Sequence, residues 1–171
     1  RIAPFCDDPV GLPQTFSVSI DLQTYDDAGF FGAPLVFLPH QVPGTRPILT
    51  GDHKHLLFDT GLPDPLTGGI FATAHRLHEQ MVDYLEHHPT YRDRPVRLEP
   101  FGLYTCGPLT TATALRGNDF YLDLYADPEY ARTLLDFVVE GTIARIQAHR
   151  RFFGLEEIAP DLFFADDAIQ M

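Results

Sequence analysis

Asp127-Pro128-Glu129 opens the longest helix signal in the chain and does most to limit how it can fold. Asp is a good N-cap, Pro fits the first helical position, and an acid in the first turn complements the positive end of the helix. Leu134, Leu135, Val138, Val139, Thr142 and Ile146 then fall on one broad apolar face as far as Phe153, where Gly154 can end the run. After a turn at Pro160-Asp161, Leu162-Phe163-Phe164-Ala165 is wholly apolar, as a strand buried on both faces of a parallel sheet is, and it leads into Asp166-Asp167. With Val96–Leu98 and Pro100–Tyr104 as the preceding strand candidate, the order from Glu99 to Met171 is strand, helix, strand. That is a βαβ pattern, and it places the chain in the α/β class.

Upstream the signals are shorter. Residues 1–15 carry three prolines and little periodicity and read as an irregular arm. Phe16 to Leu22 alternates apolar and polar residues like a strand. Pro34–Leu38 and Arg46–Thr50, on either side of Pro43-Gly44, read as the two arms of a hairpin. The glycines and prolines between residues 51 and 69 predict a loop. Phe71, Ala74, His78, Met81, Val82 and Leu85 then share one helical face that Pro89 stops, and Leu109–Leu115 suits a short helix ended by Gly117-Asn118.

Charge removes one class of partner. The net charge is −12, with 24 acids against 12 Lys plus Arg, and Lys54 is the single lysine. The basic stretch Arg92–Arg97 is broken by Asp93 and Pro95, so a phosphate backbone meets no clustered cations and nucleic acid is not an expected partner. Cys6 and Cys106 are far apart and suggest neither a disulfide framework nor a zinc pattern. With no signal-like start and no long apolar run, the expectation is a soluble cytoplasmic protein that does not enter a membrane. Arg1 in the first position suggests missing residues upstream.

Three stretches resemble the uroporphyrinogen decarboxylase superfamily, which includes the corrinoid-linked methyltransferases. Gly107-Pro108-Leu-Thr-Thr-Ala-Thr-Ala-Leu-Arg-Gly117 is similar to the family's strand-to-helix segment, and Asp127-Pro-Glu-Tyr-Ala-Arg-Thr-Leu-Leu135 to its Asp-Pro-Glu helix start. Phe163 to Met171 resembles the next barrel strand and the residues after it. Phe31-Gly32 and the Leu62-Pro-Asp-Pro65 loop follow the family's order upstream. The resemblance implies a TIM-type (β/α)₈ barrel, a fold of about 250 residues. Residues 16–171 would form its N-terminal part, with about three parallel barrel strands (Ser17–Leu22, Pro100–Tyr104, Leu162–Ala165) and a hairpin excursion. Three strands cannot close a barrel. The chain is therefore expected to be a fragment of a longer protein, or to meet a partner, such as a second copy in a homodimer, that covers the open edges.

The resemblance also implies a site at the C-terminal strand ends. Asp21 is the nearest match to the aspartate that accepts pyrrole N–H groups in the decarboxylases, with Asp26 or Asp27 as alternatives. Asp166 and Asp167 join it as catalytic candidates, and Tyr104, Cys106, Phe164 and Thr113 as substrate-binding ones. The decarboxylases' Arg-Gln-Ala-Gly-Arg-Tyr motif is absent, and an acidic pocket repels a polyanion. The expected function is thus nearer the methyltransferase-like members, acting on a corrinoid or small methyl donor. Uroporphyrinogen decarboxylation on a tetrapyrrole and a non-catalytic binding or assembly module are the alternatives. Zinc and a corrinoid would belong to the full-length protein, with no metal ligand in this chain. The histidines read as helix-end or partly buried residues rather than ligands. Phe58-Asp59-Thr60-Gly61 resembles the active-site turn of aspartic proteases, which need two such aspartates; only a homodimer would supply the second.

Overall fold

A computed structural model describes residues 14–22 and 25–157. Asp166, Asp167, Phe164 and the expected strand Leu162–Ala165 lie outside the described residues.

Strand β1 (Phe16–Val18) leads to a short helix α1 (Asp26–Phe30) and a small hairpin of β2 (Leu35–Val36) and β3 (Gly44–Thr45). A 3₁₀ turn at Gly51–His53, helix α2 (Leu56–Thr60) and the long helix α3 (Phe71–His87) follow. A second hairpin, β4 (Thr90–Tyr91) and β5 (Arg94–Leu98), precedes three helices: α4 (Pro108–Arg116), α5 (Asp119–Ala126) and α6 (Pro128–Phe152). β1 runs parallel to β5, pairing Phe16 with Val96 and Val18 with Leu98, and β4 adds to β5 in antiparallel sense. The β4–β5 turn places Arg92 and Asp93 at φ of 50° and 62°, the mirror-image turn whose twist suits a tight hairpin.

Several boundaries differ from the sequence reading. The strand expected at Pro100–Tyr104 is irregular backbone; pairing ends at Leu98, and Gly102 turns the chain with φ +74°. β1 is shorter than expected, and Ser19–Leu22 continue beyond it without pairing. The hairpin's return arm is Gly44–Thr45 rather than Arg46–Thr50, because Ile48 and Leu49 instead donate both backbone N–H groups to Leu115 O, at 2.9 and 3.0 Å. The 51–69 segment contains α2, so Asp59 lies within a helix and not in a protease-like turn.

α6 organises the core. Asp127 caps it, its carboxylate accepting the Tyr130 N–H at 3.3 Å. Tyr130, Leu134, Val138, Gly141, Thr142, Arg145, Ala148 and His149 form its buried stripe. Against this stripe and its neighbours pack Phe30, Phe71, Leu115 and Phe120, each 1% exposed or less. At Gly141 a Cβ would lie 2.7 Å from the Phe31 ring, so the missing side chain lets α1's end approach α6. The opposite end of α6 is tied by ions. Lys54 Nζ reaches Asp123 at 3.1 Å and Asp127 at 2.8 Å, and Arg116 Nε donates to Asp123 at 2.7 Å. Burial works against ionisation of Asp123, yet the Arg116 and Lys54 donors overcome it and hold its carboxyl below the ordinary value. Among the described residues no helix is long and apolar enough to cross a membrane.

Candidate functional site

β1 and β5 run parallel and side by side, so the chain leaves both at the same end of the sheet. The segments that follow them, Ser19–Leu22 and Pro100–Tyr104, wall a cleft of about 270 Å³ with Asp26 of α1 at its base. Ligand sites of parallel β/α folds lie beyond such C-terminal strand ends. Two predicted residues, Asp21 and Tyr104, line the cleft, and both are exposed. Cys106 sits behind the wall. Thr113 is on α4 with its hydroxyl donated to Leu109 O at 2.9 Å, and it is not among the residues lining the cleft.

Behind the cleft lies a group that sequence reasoning identified only in part. Asp26 and Asp27 are adjacent in α1 and both buried, at 8% and 1% exposure. Arg145, fully buried on α6, faces them. Its Nη2 donates to Asp27 Oδ1 at 2.6 Å and to Tyr104 O at 2.8 Å, while Nη1 lies 3.6 Å from Asp26 Oδ2. Asp27 Oδ2 accepts the Thr105 hydroxyl at 3.1 Å and the Cys106 N–H at 2.5 Å. Asp27 is therefore saturated with donors. Arg145 and Asp27 together pin the 102–106 wall to α1. The guanidinium is packed by the rings of Phe71 and Phe30, centred 5.1 and 5.8 Å away.

Asp26 is treated differently. Its Oδ1 accepts the Asp27 N–H at 2.8 Å, and among the described residues the nearest cation to Oδ2 is the Arg145 guanidinium at 3.6 Å. Burial, reinforced by the Asp27 charge and only partly offset by Arg145, pushes its carboxyl up to about 7. One guanidinium cannot neutralise two buried carboxylates, and it is placed for Asp27. Near neutrality Asp26 therefore exchanges a proton readily, as a carboxyl that gives or takes protons requires. Burial and the same two aspartates push the Cys106 thiol up to about 11, so it is protonated at neutral pH and is no thiolate nucleophile.

Asp26, Asp27 and Cys106 are the group of three among the described residues close enough to share an ion, with ligand atoms within 4.8 Å of one another. They do not fit zinc. A zinc-bound cysteine is a thiolate, both Asp27 oxygens are engaged, and Arg145 already fills the cationic position. A second layer holds Arg145 in place. The His149 Nδ1–H donates to Arg145 O at 2.9 Å, which leaves His149 Nε2 as the acceptor for the His75 Nε2–H at 3.2 Å. Burial drives His149 down to about 4, so its ring is neutral beside the guanidinium. Gly102 makes room for that ring: a Cβ there would lie 2.5 Å from His149 Cδ2.

Arg145 and His149 escaped the sequence reading because they continue the spacing of Leu134, Val138 and Thr142, where a core residue is expected. Comparison of the chain with protein-family models, with curated proteins and with solved structures finds no match.

Proposed function

We propose that the chain supplies one wall and the proton-exchanging carboxyl of a small-molecule enzyme site, resembling the methyltransferase-like members of the uroporphyrinogen decarboxylase superfamily and their partial β/α barrel. The observation that carries this is the position of Asp26. A buried carboxyl with only a distant ion pair at one oxygen lines a cleft beyond the ends of two parallel strands. Size and charge favour a small methylated substrate over a tetrapyrrole. The cleft measures about 270 Å³, and its described walls carry Asp21 and Asp26 and no Lys or Arg. A macrocycle bearing many carboxylates meets both steric and electrostatic opposition there. Asp26 would orient the substrate and hold or release a proton at its Oδ2, while Arg145 and Asp27 keep the walls in register. The zinc and corrinoid that the resemblance implies would be held by other residues.

The test is an NMR titration of the protein with methanol, methanethiol, methylammonium and uroporphyrinogen. Saturable shifts at Asp26, Phe101 and Tyr104 with a small methylated compound are the expected result. Saturable shifts of the same residues with uroporphyrinogen would overturn the reading in favour of the decarboxylase.

A further inference from the structure

The group behind the cleft is unbalanced in charge, and the imbalance points outward. Asp26 and Asp27 bring two carboxylates to one guanidinium, and Arg145 lies 2.6 Å from Asp27 but 3.6 Å from Asp26. Asp27 accepts from Arg145, Thr105 and the Cys106 N–H, whereas among the described residues Asp26 Oδ2 has the Arg145 guanidinium at 3.6 Å. Asp26 is 8% exposed and lines the cleft, which is where its side chain meets solvent. A mostly buried carboxylate with only a distant ion pair is stabilised when a donor or positive charge arrives. Within the cleft the described walls offer none. Asp21 adds a second acid, and Phe101 and Tyr104 add aromatic rings, surfaces that attract cations.

We infer that the cleft binds a compact organic cation bearing an N–H group, a protonated alkylamine, whose ammonium donates to Asp26 Oδ2 and supplies the positive charge that Arg145 does not. This rests on the small-molecule reading of the cleft and names its substrate class. An ammonium fits where a metal ion does not, because it needs a single hydrogen-bond acceptor and leaves the Arg145–Asp27 pair intact. The ligand is small because the cleft is: about 270 Å³ holds roughly ten non-hydrogen atoms. The groups around Asp26 are Asp27 on its own helix, Arg145 from α6, Cys106 from the turn before α4 and, across the cleft lining, Asp21 in the segment after β1. Binding is strongest when Asp26 is ionised, so a protonated Asp26 must release its proton as the ammonium enters.

The experiment titrates the protein with tert-butylammonium and, separately, with tert-butanol, an uncharged compound of nearly the same shape, reading NMR shifts of Asp26 and Tyr104. The expected result is saturable binding of the cation, about tenfold or more tighter than the alcohol. Because Asp26 titrates near 7, affinity for the cation should fall about tenfold between about pH 8 and about pH 6. Asp26→Asn, which removes a buried charge without changing shape, should lose the preference for the cation. Equal affinity for the two compounds, or unchanged cation binding by Asp26→Asn, overturns the cation assignment and leaves the cleft a small-molecule site. No saturable shift with either compound overturns both.

Discussion

Replacing Asp26 by Asn should stabilise the protein, and by an amount that grows with pH. In the folded chain the Asp26 carboxyl is held at about 7 against an ordinary value of 3.8. The sign follows from proton binding. Between those two values the folded state keeps a proton that the unfolded state has lost, so wild-type stability falls as pH rises through this window and levels off above 7. The slope is about 1.4 kcal/mol per pH unit, so between about pH 5 and about pH 8 the wild type loses about 2.7 kcal/mol through this residue. Asn has no proton to lose and does not follow that slope. Asp26 Oδ1 accepts the Asp27 N–H, a bond the amide oxygen of Asn can keep, and the 3.6 Å approach of Arg145 is too long to be a strong loss. The assay is urea unfolding of both proteins at the two pH values, taking the difference of differences so that every other titrating group cancels. Asp26→Asn should gain about 2 to 3 kcal/mol on the wild type between the two pH values. Parallel pH profiles for the two proteins would refute the reasoning.

The other expectations follow from the same group. Asp27→Asn should be destabilising by about 1 to 3 kcal/mol at neutral pH, because it breaks the 2.6 Å charge-assisted bond to Arg145 and leaves Asp26, 3.6 Å away, as the remaining counter-charge; urea unfolding that matches the wild type would show the ion pair is not what ties α1 to α6. His149 is depressed to about 4 from 6.5, so its contribution is complete above the higher value and is lost as pH falls towards the lower. The imidazole C–H resonance of His149 should titrate near the lower value, and a midpoint near 6.5 would contradict its burial beside Arg145. At Cys106, alkylation by iodoacetamide, read on its own peptide by mass spectrometry, should be slow at about pH 8 and rise towards the thiol's value of about 11. Fast alkylation at neutral pH would revive a nucleophilic role.

How much could be read from sequence depended on whether a signal was local. The start of α6 was legible because Asp127, Pro128 and Glu129 each have a backbone reason to be there, and the helix extends to Phe152 as the apolar spacing predicts. α3 and α4 were legible for the same reason. Pro100–Tyr104 was misread because an apolar run with an aromatic at each end satisfies strand propensity. What breaks the strand is tertiary: Gly102 packs against His149, and the carbonyls of Gly102 and Tyr104 turn towards Arg145, at 3.5 and 2.8 Å. α5 has a mixed apolar and acidic sequence that no cap announces, and Leu122 and Tyr125 on it are exposed. At the site, Asp26 and Asp27 came into view only as alternatives to Asp21. Their partner is 118 residues away from Asp27 on another helix, and no local rule connects the two.

The chain itself supplies the control for treating the α1 imbalance as functional. Near the start of α6 it builds a second ion cluster, in which Lys54 and Arg116 meet Asp119, Asp123 and Asp127, two cations for three acids. There Lys54, Arg116, Asp123 and Asp127 each have a partner at 3.1 Å or closer, Asp119 and Asp127 are open to water, and Asp123 is held ionised. That is what charges used for folding look like: hydrogen-bonded to one another, with the acid in excess left in solvent. At α1 the same sequence had the same materials and did otherwise. Had Asp26 only a structural part, Asn would keep its one hydrogen bond and remove the excess charge, so retaining the acid makes the fold less stable than it need be at neutral pH. Misplacement of a surface acid does not account for it, because Asp26 is held by the helix that also carries Asp27 into the core, and its Oδ2 keeps only the 3.6 Å approach of Arg145. The stability given up at Asp26 is recovered only when something enters the cleft bearing a donor or a positive charge, which makes binding at this position and folding two readings of one electrostatic deficit.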